Sequence, residues 1–226
     1  MRFLIIILIF FNLSNFTAQN LVPNPSFELF TNCFTPNDLQ YFTCQDWDSS
    51  GVGSPDHFTY CNSHPALTIP NNFAGYQVAK HGQNYIGTVC LMPNSSIENV
   101  REYVYTTLKV PLIMDSVYYF SCWIARNDYA KYAIKNFGAF ISHQIPIPNN
   151  GRLLDTLPQV RNNVYIDDST SWYKVEGEFI ATGGEQYLTL GNFDHDSLVN
   201  WYRLYPFNNP NAGDNFVYFI IDSVWL

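Results

Sequence analysis

Basic side chains are scarce in this sequence. Only 11 Lys and Arg stand against 19 Asp and Glu in 226 residues, for a net charge of −8. A surface of that sign repels phosphate backbones and anionic lipid, which excludes nucleic acid and acidic membrane surfaces as main partners. Charged residues of both signs make up 13% of the chain and aromatics 17%, a balance too rich in core formers for a disordered protein. No segment is apolar for the roughly 20 residues that a bilayer requires. Cys-x-x-Cys pairs, His-x-x-x-His and His-x-His spacings and a Gly-x-Ser-x-Gly elbow are all missing. Zinc-thiolate, zinc-protease and α/β-hydrolase chemistry therefore lack their usual residues, and no catalytic residue is assigned.

What is present begins with Arg2, the apolar run Phe3 to Phe11, polar Asn12 to Thr17, and Thr17-Ala18-Gln19. One basic residue, a short apolar stretch and small residues before a polar start describe a secretory leader. The reading is a signal peptide over 1–19, a mature chain from about Asn20, and residence in the periplasm, on the outer cell surface or outside the cell. No Cys lies near the cleavage point, so a lipid anchor is not expected. Residues 20–226 suffice for one domain with a substantial core, and no internal repeat or linker divides them.

Five Cys lie in the exported part: Cys33, Cys44, Cys61, Cys90 and Cys122. An oxidising compartment permits bridges. Cys90 and Cys122 sit in apolar strand-like runs, where Cys behaves as a small buried hydrophobe. Cys33, Cys44 and Cys61 lie in loop-like sequence; one bridge is expected among them, Cys33 to Cys61 first. The odd count leaves at least one free thiol.

Period-two alternation marks the strands. Tyr173, Val175, Phe179 and Ala181 share one face and Lys174, Glu176 and Glu178 the other, a half-buried strand. Thr182-Gly183-Gly184 then reads as a hairpin turn into 185–192, with Leu188 and Leu190 pointing inward. Residues 100–110 alternate and lead through Met114-Asp115-Ser116 to 116–126, a pattern that predicts a second hairpin. Residues 116–126 and 216–226 are apolar on both faces, as central strands are. Residues 128–136 read as one short helix capped by Asp128. Long loops are expected over 32–73, 144–158 and 194–215. Many strands with few helices indicate an all-β jelly-roll β-sandwich, with 21–29 and 218–226 as neighbouring first and last strands.

Asn20-Leu-Val-Pro-Asn-Pro-Ser-Phe-Glu28 resembles the opening strand of galactose-binding-like jelly rolls, the fold of many carbohydrate-binding modules. Phe219-Ile-Ile-Asp-Ser-Val224 resembles their closing strand. Between them stand Gly53-Ser-Pro-Asp-His-Phe58, Asn72-Phe-Ala-Gly-Tyr-Gln77, Arg101-Glu-Tyr-Val104, Lys131-Tyr-Ala-Ile134 and Phe179 to Leu188. The ordered set is similar to exported domains of Bacteroidetes-type bacteria, often found upstream of OmpA-like, gliding or type IX sorting segments. No such segment follows Leu226, so those accessory roles are not expected here. In modules of this shape a structural calcium often ties the first strand to the last. The resemblance implies Glu28 and Asp222 as its ligands, with Ser223 departing from a usual second Asp.

The resemblance also implies a non-catalytic binding module, whose ligand is a glycan or a cell-envelope protein. Sugar C–H faces stack on rings while amides and carboxylates bond the hydroxyls. Trp47, Tyr76, Tyr85, Trp172, Trp201 and Tyr202 are the aromatic candidates, and Trp201 with Tyr202, set in loop-like sequence, are the assigned ligand-binding pair. The alternative is a structural or adhesion protein without a small-molecule ligand, which would show an exposed apolar patch and no concave aromatic groove. Asp194-His-Asp196 lacks the Gly and Glu of a calcium loop and reads as a solvated turn. Glu176 and Glu178 are adjacent on a wet face, unlike a glycosidase pair across a cleft. Cys44 or Cys61 with His57 or His64 could imitate a thiol–imidazole pair, but a loop disulfide accounts better for those Cys.

Overall fold

The computed structural model of the chain describes residues 19–35, 42–93, 95–204 and 216–226; of the expected signal peptide over 1–19, residues 1–18 lie outside them. Two five-stranded antiparallel sheets carry the fold. The first runs in the order β1 (Trp47–Ser50), β6 (Tyr103–Thr107), β12 (Tyr187–Asn192), β9 (Phe137–Ser142) and β10 (Val160–Arg161). The second runs β11 (Tyr173–Ile180), β7 (Val117–Arg126), β14 (Val217–Trp225), β5 (Asn84–Leu91) and β2 (Asp56–Thr59). Two small antiparallel pairs complete it among the described residues: the hairpin of β3 (Asn71–Asn72) with β4 (Gly75–Tyr76), and the long-range pair of β8 (Tyr132–Ile134) with β13 (Trp201–Arg203).

The alternation expected for 172–181 is what β11 shows: Val175 and Ala181 are buried, Tyr173 and Phe179 pack on the core, and Lys174, Glu176 and Glu178 face water. Phe120, Cys122 and Ile124 of β7 meet Leu188 and Leu190 of β12, Val104 of β6 and Ile221 of β14 in the layer between the sheets. Each fully buried side chain of this size stabilises the fold by about 1.5–3 kcal/mol. The second sheet is covered on its outer face as well, where Phe58, Tyr85, Ala125, Tyr218 and Ile220 pack under Phe34, Leu67 and Ala74. That double cover is why β7 and β14 are apolar on both faces. Gly87 is required there, since a Cβ would lie 2.2 Å from the Tyr218 ring.

Both expected hairpins are wrong in one respect. The turns exist, with Asp115 at φ 59° and Gly183 and Gly184 near 90°, but each connection crosses between sheets. β6 pairs with β1 and β12, β7 with β11 and β14, and β11 and β12 lie in different sheets. The expected helix over 128–136 is also corrected. Among the described residues the only helical turn is the 3-10 turn Pro65–Leu67, while Tyr132–Ile134 pairs as a strand with Trp201–Arg203. Asp128 does not cap a helix; its Oδ2 accepts from Tyr76 N at 2.8 Å. The sequence around 201–203, read as loop, is a strand for the same reason.

The chain ends meet, although no strand forms over 21–29. Leu21 N donates to Leu226 O at 2.8 Å and Val224 N to Pro25 O at 2.8 Å. Asn20 clasps the last strand through Nδ2 to Val224 O at 2.9 Å and Oδ1 from Leu226 N at 3.1 Å. Phe27 and Val224 are both buried in the main core. Positive φ at Asn24 and Phe27 breaks the extended backbone that a strand needs. The expected bridge is present: Cys33 and Cys61 are joined, with Cα atoms 5.6 Å apart, and Cys44, Cys90 and Cys122 are free and buried.

Candidate functional site

β7 ends at Arg126, and the turn that follows builds a cleft. Asp128 N donates to Ala74 O at 2.8 Å while Asp128 Oδ2 accepts from Tyr76 N, so the turn and the β3–β4 hairpin clamp each other. Gly75, at φ 123°, makes this possible; a Cβ there would sit 2.2 Å from Asp128 Oδ2. Gln77 N bonds Pro70 O at 2.8 Å and Tyr85 OH bonds Gln77 O at 3.1 Å, which fixes the segment after the hairpin. From the other side, Arg126 donates to Asn127 O, Ala130 O and Asp167 O. Asp168 Oδ1 then accepts from Thr170 N and Oγ1, and Trp172 Nε1 reaches Val78 O at 3.0 Å.

The result is a cleft of about 570 Å³ lined by Tyr76, Gln77, Val78, Lys80, Asp128, Thr170 and Trp172, among others. Tyr76 is 57% exposed and Trp172 half-buried. Lys80 Nζ lies 3.7 Å from the centre of the Trp123 ring, a cation–π contact that holds the ammonium at the rim. Hydrogen bonds from Ser171 and Thr170 hold the Asp168 carboxyl below the usual range. Two aromatic rings, one ammonium, one carboxylate, an amide and a hydroxyl line it. That is binding chemistry suited to a polyhydroxylated ligand, apolar on its ring faces and rich in donors and acceptors around its edge.

The six aromatic candidates separate cleanly. Trp47 and Tyr85 are core, at 5% and 0% exposure. Tyr76 and Trp172 line the cleft. Trp201 and Tyr202 stand exposed on β13, at 49% and 38%. Trp201 packs edge-on to Tyr132 with centroids 5.2 Å apart, and Tyr202 packs on Tyr165 at 4.9 Å. Tyr202 OH donates to Asp167 Oδ2 at 2.6 Å. One loop, 167–172, therefore serves Tyr202 through Asp167 and the cleft through Thr170 and Trp172. Lys80, Asp128 and Thr170 went unassigned from the sequence; the motif Asn72 to Gln77, whose glycine takes a positive φ, was the available signal.

Glu28 and Asp222 approach the same region of β5 and β14. Glu28 Oε1 accepts from Gln83 N and Asn84 N, both at 2.9 Å, and Oε2 from Asn84 Nδ2 at 3.0 Å. Asp222 is fully buried, with Oδ2 bound by His81 N at 2.8 Å and Oδ1 by Ser223 N at 2.5 Å. Burial, with repulsion from Glu28 as a smaller contribution, pushes the Asp222 carboxyl up to about 7. These oxygens face N–H groups, whose polarity opposes a cation, and calcium takes six to eight oxygen ligands. Among the described residues no group of three or more His, Cys, Asp or Glu converges as a metal site. The donor set as placed does not fit a bound calcium ion.

The imagined thiol–imidazole pairs do not form. Cys61 is bridged, and burial pushes the Cys44 thiol far up, away from the reactive thiolate. His57 is buried against Phe27 O at 3.0 Å, and burial pushes its pKa down to about 4. Asp194 and Asp196 are structural: Asp194 pairs with Arg161 at 2.5 Å and Asp196 with the buried Arg101 at 2.8 Å.

No family model and no curated protein matches the chain. Solved structures similar to it are β-sandwich modules. The xylan-binding CBM22-1 domain from Paenibacillus barcinonensis is 15% identical over 88% of each chain, with a TM-score of 0.44. A cleaved adhesin domain of Lys-gingipain from Porphyromonas gingivalis is 13% identical over 88% of this chain and 93% of that one, at 0.41. A CBM61 module complexed with β-1,4-galactotriose is 12% identical over 92% and 97%, at 0.36. Among the described residues no helix is long and apolar enough to cross a membrane.

Proposed function

We propose that this chain is an exported, non-catalytic module that recognises a glycan through the cleft between Tyr76 and Trp172. The observation that carries the reading is the convergence of those two partly exposed rings with Lys80, Gln77, Asp128 and Thr170 in a braced cavity of about 570 Å³. The Cys33–Cys61 bridge supports export, because such bonds persist in oxidising compartments. Trp201 and Tyr202 extend the aromatic surface on the far side of the 167–172 loop and belong to the same proposal as a secondary contact.

The test is a glycan array followed by titration of the best binder. Trp172→Ala and Tyr76→Ala are each expected to weaken binding about tenfold or more, the loss of one well-packed ring contact. Trp201→Ala with Tyr202→Ala is expected to weaken it less. Unchanged binding in the Trp172 and Tyr76 variants would remove the cleft as the site. Calcium at Glu28 and Asp222, which the family resemblance implies, is tested by melting with and without chelator. The N–H donor set leads to an unchanged midpoint, and a fall of several degrees would place a cation there.

A structural or adhesive role is favoured by a different observation, an apolar groove at the other end of β7.

A further inference from the structure

At the start of β7 a second groove, of about 480 Å³, is lined by Leu21, Val110, Ile113, Val117, Tyr119 and Trp225, among others. None of its lining side chains is charged. The side chains around it are large and open to water: Val110 53%, Ile113 69%, Val117 64%, Tyr119 39% and Trp225 39%. The patch continues past the groove. Ile180, 66% exposed, lies directly across from Val117 in the β11–β7 register, and Met114, 65% exposed, follows Ile113 in the turn. The exposed parts of these seven side chains amount to several hundred Å². That exceeds or matches the ~300–600 Å² of the largest patch on a typical monomer and approaches the ~800 Å² each partner gives to a standard interface.

The patch is also held still. Ile113 N donates to Tyr118 OH at 3.0 Å. Leu112 N bonds Glu185 O, Gly184 N bonds Leu112 O, and Asp115 N bonds Ala181 O, at 2.7 to 3.0 Å. Lys109 N bonds Leu21 O at 3.0 Å and its Nζ bonds Asn20 O at 2.9 Å. A loop that displays four apolar side chains while its backbone is bonded on both sides is preorganised, so little ordering cost remains for association.

We propose that this groove is the contact between two copies of this chain. Apolar area and symmetry point to a second copy as the occupant. Each copy carries −8, so like molecules repel everywhere except where a large uncharged face lets apolar burial outweigh the long-range term. The same negative charge opposes docking on an anionic lipid surface. A two-fold contact uses one patch on both copies and needs only that the patch fit itself. A groove between Trp225 and Ile113, whose lining side chains are all uncharged, meets that condition.

The experiment is sedimentation of the purified chain over a dilution series, at low and high salt, with Val117→Lys and Ile113→Glu alongside. Both positions are mostly exposed, and unchanged melting will show that the variants fold. The proposal expects a concentration-dependent dimer, tighter at high salt as repulsion is screened, and at least tenfold weaker in each variant. A wild-type chain that stays monomeric, or a dimer indifferent to both substitutions, overturns it. So does a monomer whose Trp225 is shielded from a soluble quencher only while residues 1–18 are attached, which would give the groove to that segment. Binding to neutral vesicles in place of self-association would also overturn it.

Discussion

β7 is ten residues long, about 30 Å of extended chain, and its two ends have been finished in opposite ways. Past Arg126 the backbone turns into a wet cleft, where rings alternate with an ammonium, a carboxylate and an amide, and every loop is tied to another loop. Before Val117 the approach is equally well tied, yet the side chains it displays are Val110, Ile113 and Met114, beside Trp225 of β14. The two ends thus share backbone rigidity and differ only in what is shown to solvent. Rigid display of polar groups among rings suits a small hydroxylated ligand, and rigid display of an uncharged apolar face suits a macromolecular surface. The comparison also bears on the two readings that the sequence left open. A concave aromatic cleft and an exposed apolar patch were set against each other as signs of a ligand-binding module and of an adhesive subunit, and this chain carries both, at separate places.

The largest expected way to break the asymmetry is through the bridge. Cys33 and Cys61, separated by 28 positions, anchor Phe34, which packs with Phe58 and Leu67 beneath the cleft. Replacing both with Ser is expected to lower stability by about 3 kcal/mol, measured by urea unfolding. It should weaken glycan binding while leaving groove-dependent association intact in the molecules that remain folded. Equal damage to both ends would show that they are not independent. Gly75→Ala is a smaller, more local blow. A Cβ at φ 123° against Asp128 Oδ2 strains the backbone by about 1–3 kcal/mol and opens the clamp on Tyr76. Binding should fall, with the self-association constant within twofold of the parent.

Acidity sharpens the contrast with a modest effect. Burial pushes Asp56 and Asp222 up to about 7 from 3.8, and Glu102 is raised in the same way. Between the unfolded and folded values the native chain holds protons that the unfolded chain has released, so stability falls as pH rises. His57, lowered from 6.5 to about 4, has the opposite sign up to about 6.5 and offsets part of this. Asp168 and Glu185, whose carboxyls are lowered, act only in more acid solution. Urea midpoints should therefore decline gently from about pH 5 to 7, and Asp222→Asn should flatten the slope. A midpoint that climbs over that interval would contradict the burial of these acids. None of these groups lines the groove, so self-association should be flat over the same range.

The sequence read most truly where one side-chain period decided the matter. β7, β11 and β14 alternate or are apolar on both faces, and burial of such a face leaves no choice of register. The hairpins were misassigned because a glycine or Asp turn looks the same whether the next strand stays in its sheet or crosses to the other. That choice depends on pairing between strands far apart in the chain. Residues 128–136 failed as a helix because so short a segment has little intrinsic preference, and pairing of Ala133 with Tyr202 outweighs it. The Cys33–Cys61 bridge was legible from loop composition. The cleft was not, since its members come from 76–80, 128 and 170–172, segments that only the folded β7 and its neighbours bring together. Two of its rings, Tyr76 and Trp172, were on the candidate roster, but nothing in the sequence distinguishes them from the core rings Trp47 and Tyr85.

The clasp of Asn20 around Val224 and Leu226 places both ends of the sandwich side by side, at the rim of the groove. A purification handle or fluorescent reporter joined to either end will therefore crowd the same face, whichever end is chosen. Measurements of self-association therefore need a handle that is cut away.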